Sequence, residues 1–292
     1  MNLFQYDFLL LALGGALIIG LVAPALGIYL VQRRLSLIGD GIGHVALTGV
    51  GVGLLFDQSP VVTAVIVAAL GAVGVELVRE RGRTSGDVAL ALLFYGGIAG
   101  GVVLVGLSDG SNANLTQYLF GSLNTTSAGD LVVIAVLGAA VLAAMLLLRP
   151  ALFAVCHDEE YARVSGLPVR TLNLVLAVTT AVTVTIAMRT VGLLLISALM
   201  VVPVAAAQQV ARGFRVTMGV AMAIGFFAAA AGVWTSAQIN TAPGATIVIL
   251  AIATFVVMTV GVSAWRTLRR RMVPAAGGSR VELEPPDVVL NG

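Results

Sequence analysis

The sequence predicts an all-α, polytopic membrane protein, and three of its properties lead to that fold class. Of its 292 residues, 59% are hydrophobic and only 10% are charged, whereas an ordinary soluble domain is about 25% charged. The mean hydropathy is +1.04. Apolar runs of about 20 residues, the length that a helix needs to cross a bilayer, recur along the whole chain. We therefore expect about nine transmembrane helices.

Turn-forming residues separate these apolar runs. The sequence Asp57-Gln58-Ser59-Pro60 divides the second run from the third, and residues 240–244, NTAPG, divide the last two. The spans are expected near residues 8–31, 36–56, 61–78, 87–107, 129–148, 171–188, 191–210, 216–236 and 244–265.

The basic residues predict how the chain is oriented. All 16 are arginines, and nearly all of them fall in clusters that are two spans apart. By the positive-inside rule the clusters are cytoplasmic, so the N-terminus is expected outside and the C-terminus inside. The clusters occupy residues 33–34, 79–83, 149–170, 212–215 and 266–280.

Asp40 and His44 are the candidate ligands of a metal ion. They lie four residues apart in the apolar stretch SLIGDGIGHVALTGVGVGLLF, a spacing that places both side chains on one face of a helix. An imidazole nitrogen and a carboxylate oxygen on one face could hold a divalent cation. Because ionisable groups in a span are costly, they usually mark a path for polar cargo. The alternative is a neutral pair in which His44 bonds Asp40 within the helix.

Small and polar residues elsewhere have structural interpretations. The glycines near Asp40 are expected to allow close helix packing. Asp87 and Asp130 open predicted spans and are interpreted as helix caps, and Glu76 is interpreted as an ion-pair partner of the Arg79 cluster. These glycines are Gly39, Gly41, Gly43, Gly49, Gly51 and Gly53.

Three segments between or beyond the spans have their own predicted structures. Residues 108–127 are too polar to span, although Tyr118-Leu119-Phe120 could form a short re-entrant helix. Acidic residues at 158–160 followed by Gly166 and Pro168 predict a short helix over about residues 159–165 on the cytoplasmic surface. Residues 273–292 are expected to form a disordered cytoplasmic tail, which leaves residues 1–272 as the transmembrane domain.

Two absences exclude classes of chemistry. The chain has no lysine, so it contains no Walker A loop and no lysine nucleophile. Its single cysteine, Cys156, cannot form a disulfide within one chain, and no zinc-finger spacing surrounds the adjacent His157.

Three stretches make the chain resemble the ABC-3 type membrane permeases of zinc, manganese and iron import systems. They are RRLSLIGDGIGHVALTGVGVG from Arg33, DEEYARVSGLPVRTLNLVL from Asp158, and TVGLLLISALMVVPVAAAQQVA from Thr190. The resemblance extends over about residues 8–265. Gly43 and Thr48 depart from it, because many members have Ser and Pro there, which affects the expected helix bend and metal preference.

The resemblance implies a transport subunit that is not itself an enzyme. It implies a second permease copy, identical or related, a cytoplasmic ABC ATPase dimer, and an extracytoplasmic metal-binding protein; no cofactor and no nucleic acid are expected. Asp40 and His44 would line the translocation path in a bacterial cell membrane. The segment 158–166 would be a coupling helix that docks on the ATPase. The residues expected to serve coupling are Asp158, Glu159, Glu160, Ala162, Gly166 and Leu167.

Ligand chemistry favours Zn²⁺ as the cargo. Two chains would supply two carboxylates and two imidazoles, which suit tetrahedral zinc, whereas manganese prefers more oxygen ligands. Mn²⁺ and iron remain the alternatives within the family. An ion-coupled secondary transporter, a metal-chelate permease and a non-transporting scaffold are the rival functions. Arg189, in the external turn, could repel cations at the mouth, contact the binding protein, or simply lie at the interface.

Overall fold

The computed structural model describes residues 7–80, 86–108, 112–122 and 127–272, and these form twelve helices and no strand. The all-α prediction is therefore confirmed for the described residues. The predicted tail, residues 273–292, lies outside them.

Nine of the helices are long and apolar enough to cross a membrane, as the sequence predicted. Their boundaries agree with the predicted spans to within a few residues, except that the last helix continues to Met272. The nine are α1 (Asp7–Gln32), α2 (Ile38–Leu55), α3 (Pro60–Glu80), α4 (Gly86–Leu107), α6 (Ala128–Leu147), α9 (Val169–Ala187), α10 (Leu193–Val210), α11 (Phe214–Ile239) and α12 (Pro243–Met272).

Three short helices connect them: α5 (Asn112–Phe120), α7 (Arg149–His157) and α8 (Glu159–Val164). The sequence predicted a helix at both α5 and α8. It did not predict α7, which restarts one residue after α6 ends. Pro150, in the first turn of α7, has no N–H to continue the α6 ladder, so the chain breaks at Leu148 and begins a new helix.

The turns between helices gather at two ends of the bundle. At the arginine-rich end, α1 turns into α2, α10 turns into α11, and α7 and α8 lead into α9. At the opposite end, the start of α6 lies beside the α9–α10 turn, because Arg189 of that turn pairs with Asp130.

The centre of the bundle is formed by α1, α2 and α9, each with 61% of its span buried. The helices α3, α4, α6 and α12 lie outside them, with at most 22% of their spans buried. Large apolar side chains such as Leu92, Val136 and Val257 project from these outer helices, as expected for surfaces that face lipid or another apolar partner. The α2 helix is therefore held from several sides, mainly by α3 and α4.

Glycines set the distance between α2 and its neighbours. A Cβ added at Gly97 of α4 would lie 2.5 Å from the carbonyl carbon of His44. On the other side, a Cβ at Gly49 of α2 would lie 2.6 Å from the Cα of Ala64 in α3. Both distances are far below van der Waals contact, so these helices approach backbone to backbone. The sequence-based expectation that the α2 glycines allow close packing is confirmed.

This packing predicts opposite effects for two adjacent glycines of α4. Gly97→Ala should destabilise the fold by about 1–3 kcal/mol, because the methyl group would push α4 away from His44. Gly96→Ala, the matched control, adds its methyl group where no atom lies within 4 Å. It should be neutral or slightly stabilising. Thermal unfolding of the purified variants in detergent would measure both, and equal melting temperatures would contradict the packing.

Candidate functional site

Asp40 and His44 lie on successive turns at the start of α2, on the side nearer the arginine-rich end. Asp40 is partly buried in the first turn. His44 is only 8% exposed, although a polar imidazole gains little free energy from being buried. The two candidate ligands are therefore the ionisable groups that α2 carries into the bundle.

An apolar wall from α4 closes one side of the pair. The ring of Phe94 meets the imidazole of His44 edge to face, with centroids 4.4 Å apart. A cavity of about 310 Å³ adjoins it, and Asp40 is the one charged residue among the described residues that line it. The other lining residues are Leu37, Leu90, Ala91, Phe94 and Tyr95. Polar cargo entering this cavity would meet the Asp40 carboxylate among apolar side chains.

Asp40 and His44 do not neutralise each other through direct contact. Although both side chains are described, they share neither a hydrogen bond nor an ion pair within the described ranges. This disfavours the alternative in which His44 bonds Asp40 inside the helix. Both side chains retain lone pairs for another partner.

Thr48 helps explain the departure from the family pattern. Its hydroxyl donates a 2.8 Å hydrogen bond to the carbonyl of Gly97, which ties α2 to α4 one turn beyond His44. The α2 helix continues without a break to Leu55. A proline at this position would lack that hydroxyl.

A buried arginine connects the α1–α2 turn to the segment predicted to serve coupling. Arg33, whose side chain is 7% exposed, donates to Asn173 Oδ1 of α9 at 2.6 Å and to Glu159 Oε2 of α8 at 2.8 Å. The turn itself is tight, since Arg34 adopts a φ of 59° and Leu35 donates its N–H to the carbonyl of Leu30. Arg33, seven residues before Asp40, thus joins α8 to the turn that leads into α2. The sequence did not predict this contact, because Arg33 was interpreted only as one of the basic residues that orient the chain in the membrane.

The short helix α8 matches its prediction closely. Asp158 caps its start by accepting the N–H of Tyr161 at 2.9 Å. The chain leaves the helix through Gly166, two residues after Val164. Gly166 has a φ of 82°, a left-handed conformation that favours glycine. Glu160 is exposed and Leu167 is partly buried. The predicted boundaries are therefore right to within one residue.

The structure distinguishes two faces of α8 that the sequence did not assign. Ala162, a predicted coupling residue, is fully buried against the bundle. The outward face instead carries Tyr161 and Val164, which are 69% and 84% exposed. Two large apolar groups three residues apart on a short exposed helix are the signal that the sequence reasoning missed.

Arg189 is engaged at the opposite end of the bundle. Its guanidinium pairs with Asp130, and its carbonyl accepts the N–H of Ser122 at 3.1 Å. Asp130 is not the N-cap of α6 but its third residue, which forms a capping box with Ser127. Arg189 therefore fastens α6 to the α9–α10 turn. The side chain of Asp87 lies outside the described residues, whereas Glu76 pairs with Arg79 at 2.7 Å as predicted.

Cys156 and His157 point to separate partners. The Cys156 thiol contacts the carbonyl of Tyr29 at 3.8 Å, and the His157 ring stacks on Phe153 with centroids 5.9 Å apart. Burial raises the pKa of Cys156 to about 11, so its thiol stays protonated at neutral pH. The pair has no geometry for one shared metal ion.

A comparison with protein families decides the class of this chain. The model of the ABC 3 transport family matches residues 5–261. The chain belongs to this family. With nine apolar spans among the described residues, it is a multi-pass bacterial membrane protein.

Two relatives that are named for different metals show the breadth of this ABC 3 transport family. The manganese transport system membrane protein MntC of Halalkalibacterium halodurans is 30% identical over 254 residues, which cover 87% of each chain. The high-affinity zinc uptake system membrane protein ZnuB of Haemophilus influenzae is 28% identical over 252 residues, covering 86% of this chain and 97% of ZnuB. Similarity of this degree to both does not separate the two metals.

A solved structure has the same fold. PsaBC from Streptococcus pneumoniae in complex with Fab contains a chain that superposes with a TM-score of 0.80 and 27% identity. The match covers 92% of this chain and 97% of that chain. The architecture of this ABC 3 transport family member is therefore shared along nearly its whole length.

Proposed function

We propose that this chain is the membrane-spanning subunit of an ATP-driven importer of divalent transition metal ions, with Zn²⁺ as the favoured cargo. The observation that carries the proposal is the Asp40 and His44 pair, which α2 places beside an apolar cavity without joining the two groups to each other. Family membership and relatives named for manganese and zinc transport support it.

One chain does not complete a metal site from these ligands. The described residues contain no group of three or more His, Cys, Asp and Glu side chains that could hold an ion. A second copy would add another carboxylate and another imidazole, and four N and O ligands suit tetrahedral Zn²⁺. An incomplete site on each chain suits transport, because the cargo must also be released. Mn²⁺ or iron is the alternative cargo.

ATP must be hydrolysed by a partner, since a chain without lysine has no Walker A loop. By the positive-inside rule, the arginine-rich end faces the cytoplasm. The outward face of α8, with Tyr161 and Val164, is the surface that we assign to the ATPase. The buried Ala162 and the Asp158 cap hold that face in place.

Arg33 provides a path from this surface to the metal ligands. A movement of α8 would act on Glu159, and through Glu159 on the Arg33 guanidinium and the α1–α2 turn. The first turn of α2 carries Asp40. At the external end, which we assign to the metal-delivering binding protein, Arg189 is held by Asp130, and its contribution to docking or to the mouth stays a prediction.

Replacing the proposed ligands should stop transport. Asp40→Asn and His44→Ala should each reduce uptake of Zn²⁺ into proteoliposomes, driven by the ATPase partner, to background, because each removes one ligand per chain. Assembly should remain intact. His157→Ala, at the only other histidine, is the matched control and should transport normally. Uptake by both ligand variants at the wild-type rate would exclude the site, and parallel assays with Mn²⁺ and Fe²⁺ decide the cargo.

Removing the apolar groups from the outward face of α8 should weaken ATPase binding. The double variant Tyr161→Ala/Val164→Ser should retain about tenfold less ATPase during co-purification, because two exposed apolar contacts are lost. Val210→Ser, at an exposed valine of the same end, should retain it. If the wild type, the double variant and Val210→Ser all retained the same amount of ATPase, α8 would not form the docking surface.

Breaking the Arg33–Glu159 contact should uncouple rather than disassemble the complex. Arg33→Gln and Glu159→Gln should each lower metal-stimulated ATPase activity by about threefold to thirtyfold, with metal binding and ATPase docking unchanged. The double variant should lose less than the sum of the two single losses, because both variants remove the shared Arg33–Glu159 contact. Arg33→Gln also removes the bond to Asn173, and Glu159→Gln the pairing with Arg163. Arg34→Gln, at the exposed neighbouring arginine, is the control. Additive losses, or wild-type stimulation, would contradict the path.

A further inference from the structure

An apolar cavity of about 490 Å³ lies at the arginine-rich end, far along the chain from Asp40 and His44. It forms between the start of α7 and the start of α11. Its lining residues are Arg149, Pro150, Phe153, Gly213, Phe214, Arg215 and Val216. Neither the metal path nor the assigned ATPase surface uses it.

Aromatic rings build the apolar part of this cavity. Phe153 of α7 packs on Phe214 of α11 with ring centroids 5.0 Å apart, and Phe214 packs on Tyr29 of α1 at 5.2 Å. Gly213, at a φ of 90°, lets the chain turn sharply into α11. Phe153 and Val216 are 38% and 56% exposed, so the apolar surface is accessible from outside.

Arg149 and Arg215 give the cavity positive charge. No acidic residue is among the described residues that line it. Neither guanidinium forms an ion pair or hydrogen bond with another residue in the part of the chain that the structure describes. This contrasts with Arg33, Arg79 and Arg189, each of which pairs with a carboxylate.

The position of the cavity identifies the kind of ligand that would match its charge. Arg149 lies two residues after the last residue of the α6 span, and Arg215 lies in the first turn of the α11 span. Both guanidinium groups therefore lie at the boundary between hydrocarbon and headgroups, the level of lipid phosphates. Arginine binds phosphate oxygens strongly, and basic pockets between helices on the cytoplasmic side accept anionic headgroups.

We propose that this cavity binds one anionic phospholipid, whose phosphate lies between Arg149 and Arg215 and whose acyl chain lies along Phe153 and Val216. A metal cation is excluded by the like charge of the two arginines. An acidic segment of a protein partner would satisfy the charge but would not need an apolar surface at the edge of the membrane. The lipid uses both features.

The test is titration of the purified full chain in detergent with phosphatidylglycerol or phosphatidylcholine, with bound lipid counted by native mass spectrometry. The wild type should bind the first phosphatidylglycerol at least about tenfold more tightly than phosphatidylcholine. Arg149→Gln/Arg215→Gln should weaken phosphatidylglycerol binding by about 30-fold, since two cationic contacts are lost. Inorganic phosphate at the lipid concentration should not compete.

A matched variant distinguishes lipid binding in this cavity from non-specific attraction to positive charge on the surface. Arg34→Gln/Arg212→Gln removes the same charge at the same end from two exposed arginines that do not line the cavity. It should change binding by no more than about threefold, because neither residue lines the cavity and exposed charges are screened by salt. Should Arg149→Gln prevent folding, Arg215→Gln and Val216→Asp change only exposed lining residues and should still weaken phosphatidylglycerol binding.

Four results would overturn the proposal. They are equal affinity for the two lipids, an equal loss in the matched variant, full competition by inorganic phosphate, and unchanged lipid binding by the cavity variants. If the cavity variants bound lipid normally but lost the ATPase, the cavity would instead be a protein-docking surface. Because the assay uses no transport or ATPase activity, its outcome is independent of the proposed metal import.

Discussion

Backbone contact between α2 and its neighbours is the constraint on which the candidate site depends. Lipid chains are as apolar as leucine, so helices in a membrane gain little from hydrophobic burial against one another. Close packing and a few hydrogen bonds hold them instead. Gly97 and Gly49 allow α4 and α3 to touch the backbone of α2 from two sides, and Thr48 adds a hydrogen bond to Gly97. The positions of Asp40 and His44 are consequences of this contact.

The bundle keeps most of its charge at its two ends, where water and headgroups reduce the cost. Arg33 pairs with Glu159 at one end and Arg189 pairs with Asp130 at the other, and each pair joins elements that are distant in sequence. Such pairs add little net stability, because desolvation offsets the attraction. Their geometric effect is larger, since each fixes where a turn lies relative to a neighbouring helix. Arg149 and Arg215, which lack carboxylate partners among the described residues, suggest a different role for charge at this boundary.

Local chemistry predicted the short helices unevenly. The acids at 158–160 and Gly166 predicted α8 to within one residue, because capping and termination depend on nearby residues alone. The break at Leu148 was missed, because an apolar leucine carries no turn signal and the break lies two residues before Pro150, which causes it. The buried side of α8 was also missed. Six residues are too few to show which face of a helix is buried, so the sequence did not distinguish the buried Ala162 from the exposed Tyr161 and Val164.

The sequence by itself determined the all-α membrane fold, the number and approximate limits of the spans, and Asp40 and His44 as candidate ligands. Each of these follows from composition or from spacing over a few turns, which act locally. Only the tertiary structure decided which glycine meets which helix and which partner each charge has. Arg33 meets Glu159 and Asn173, 126 and 140 residues away, and Phe94 covers His44 from another helix. No local pattern encodes such contacts, because they depend on how the helices pack together.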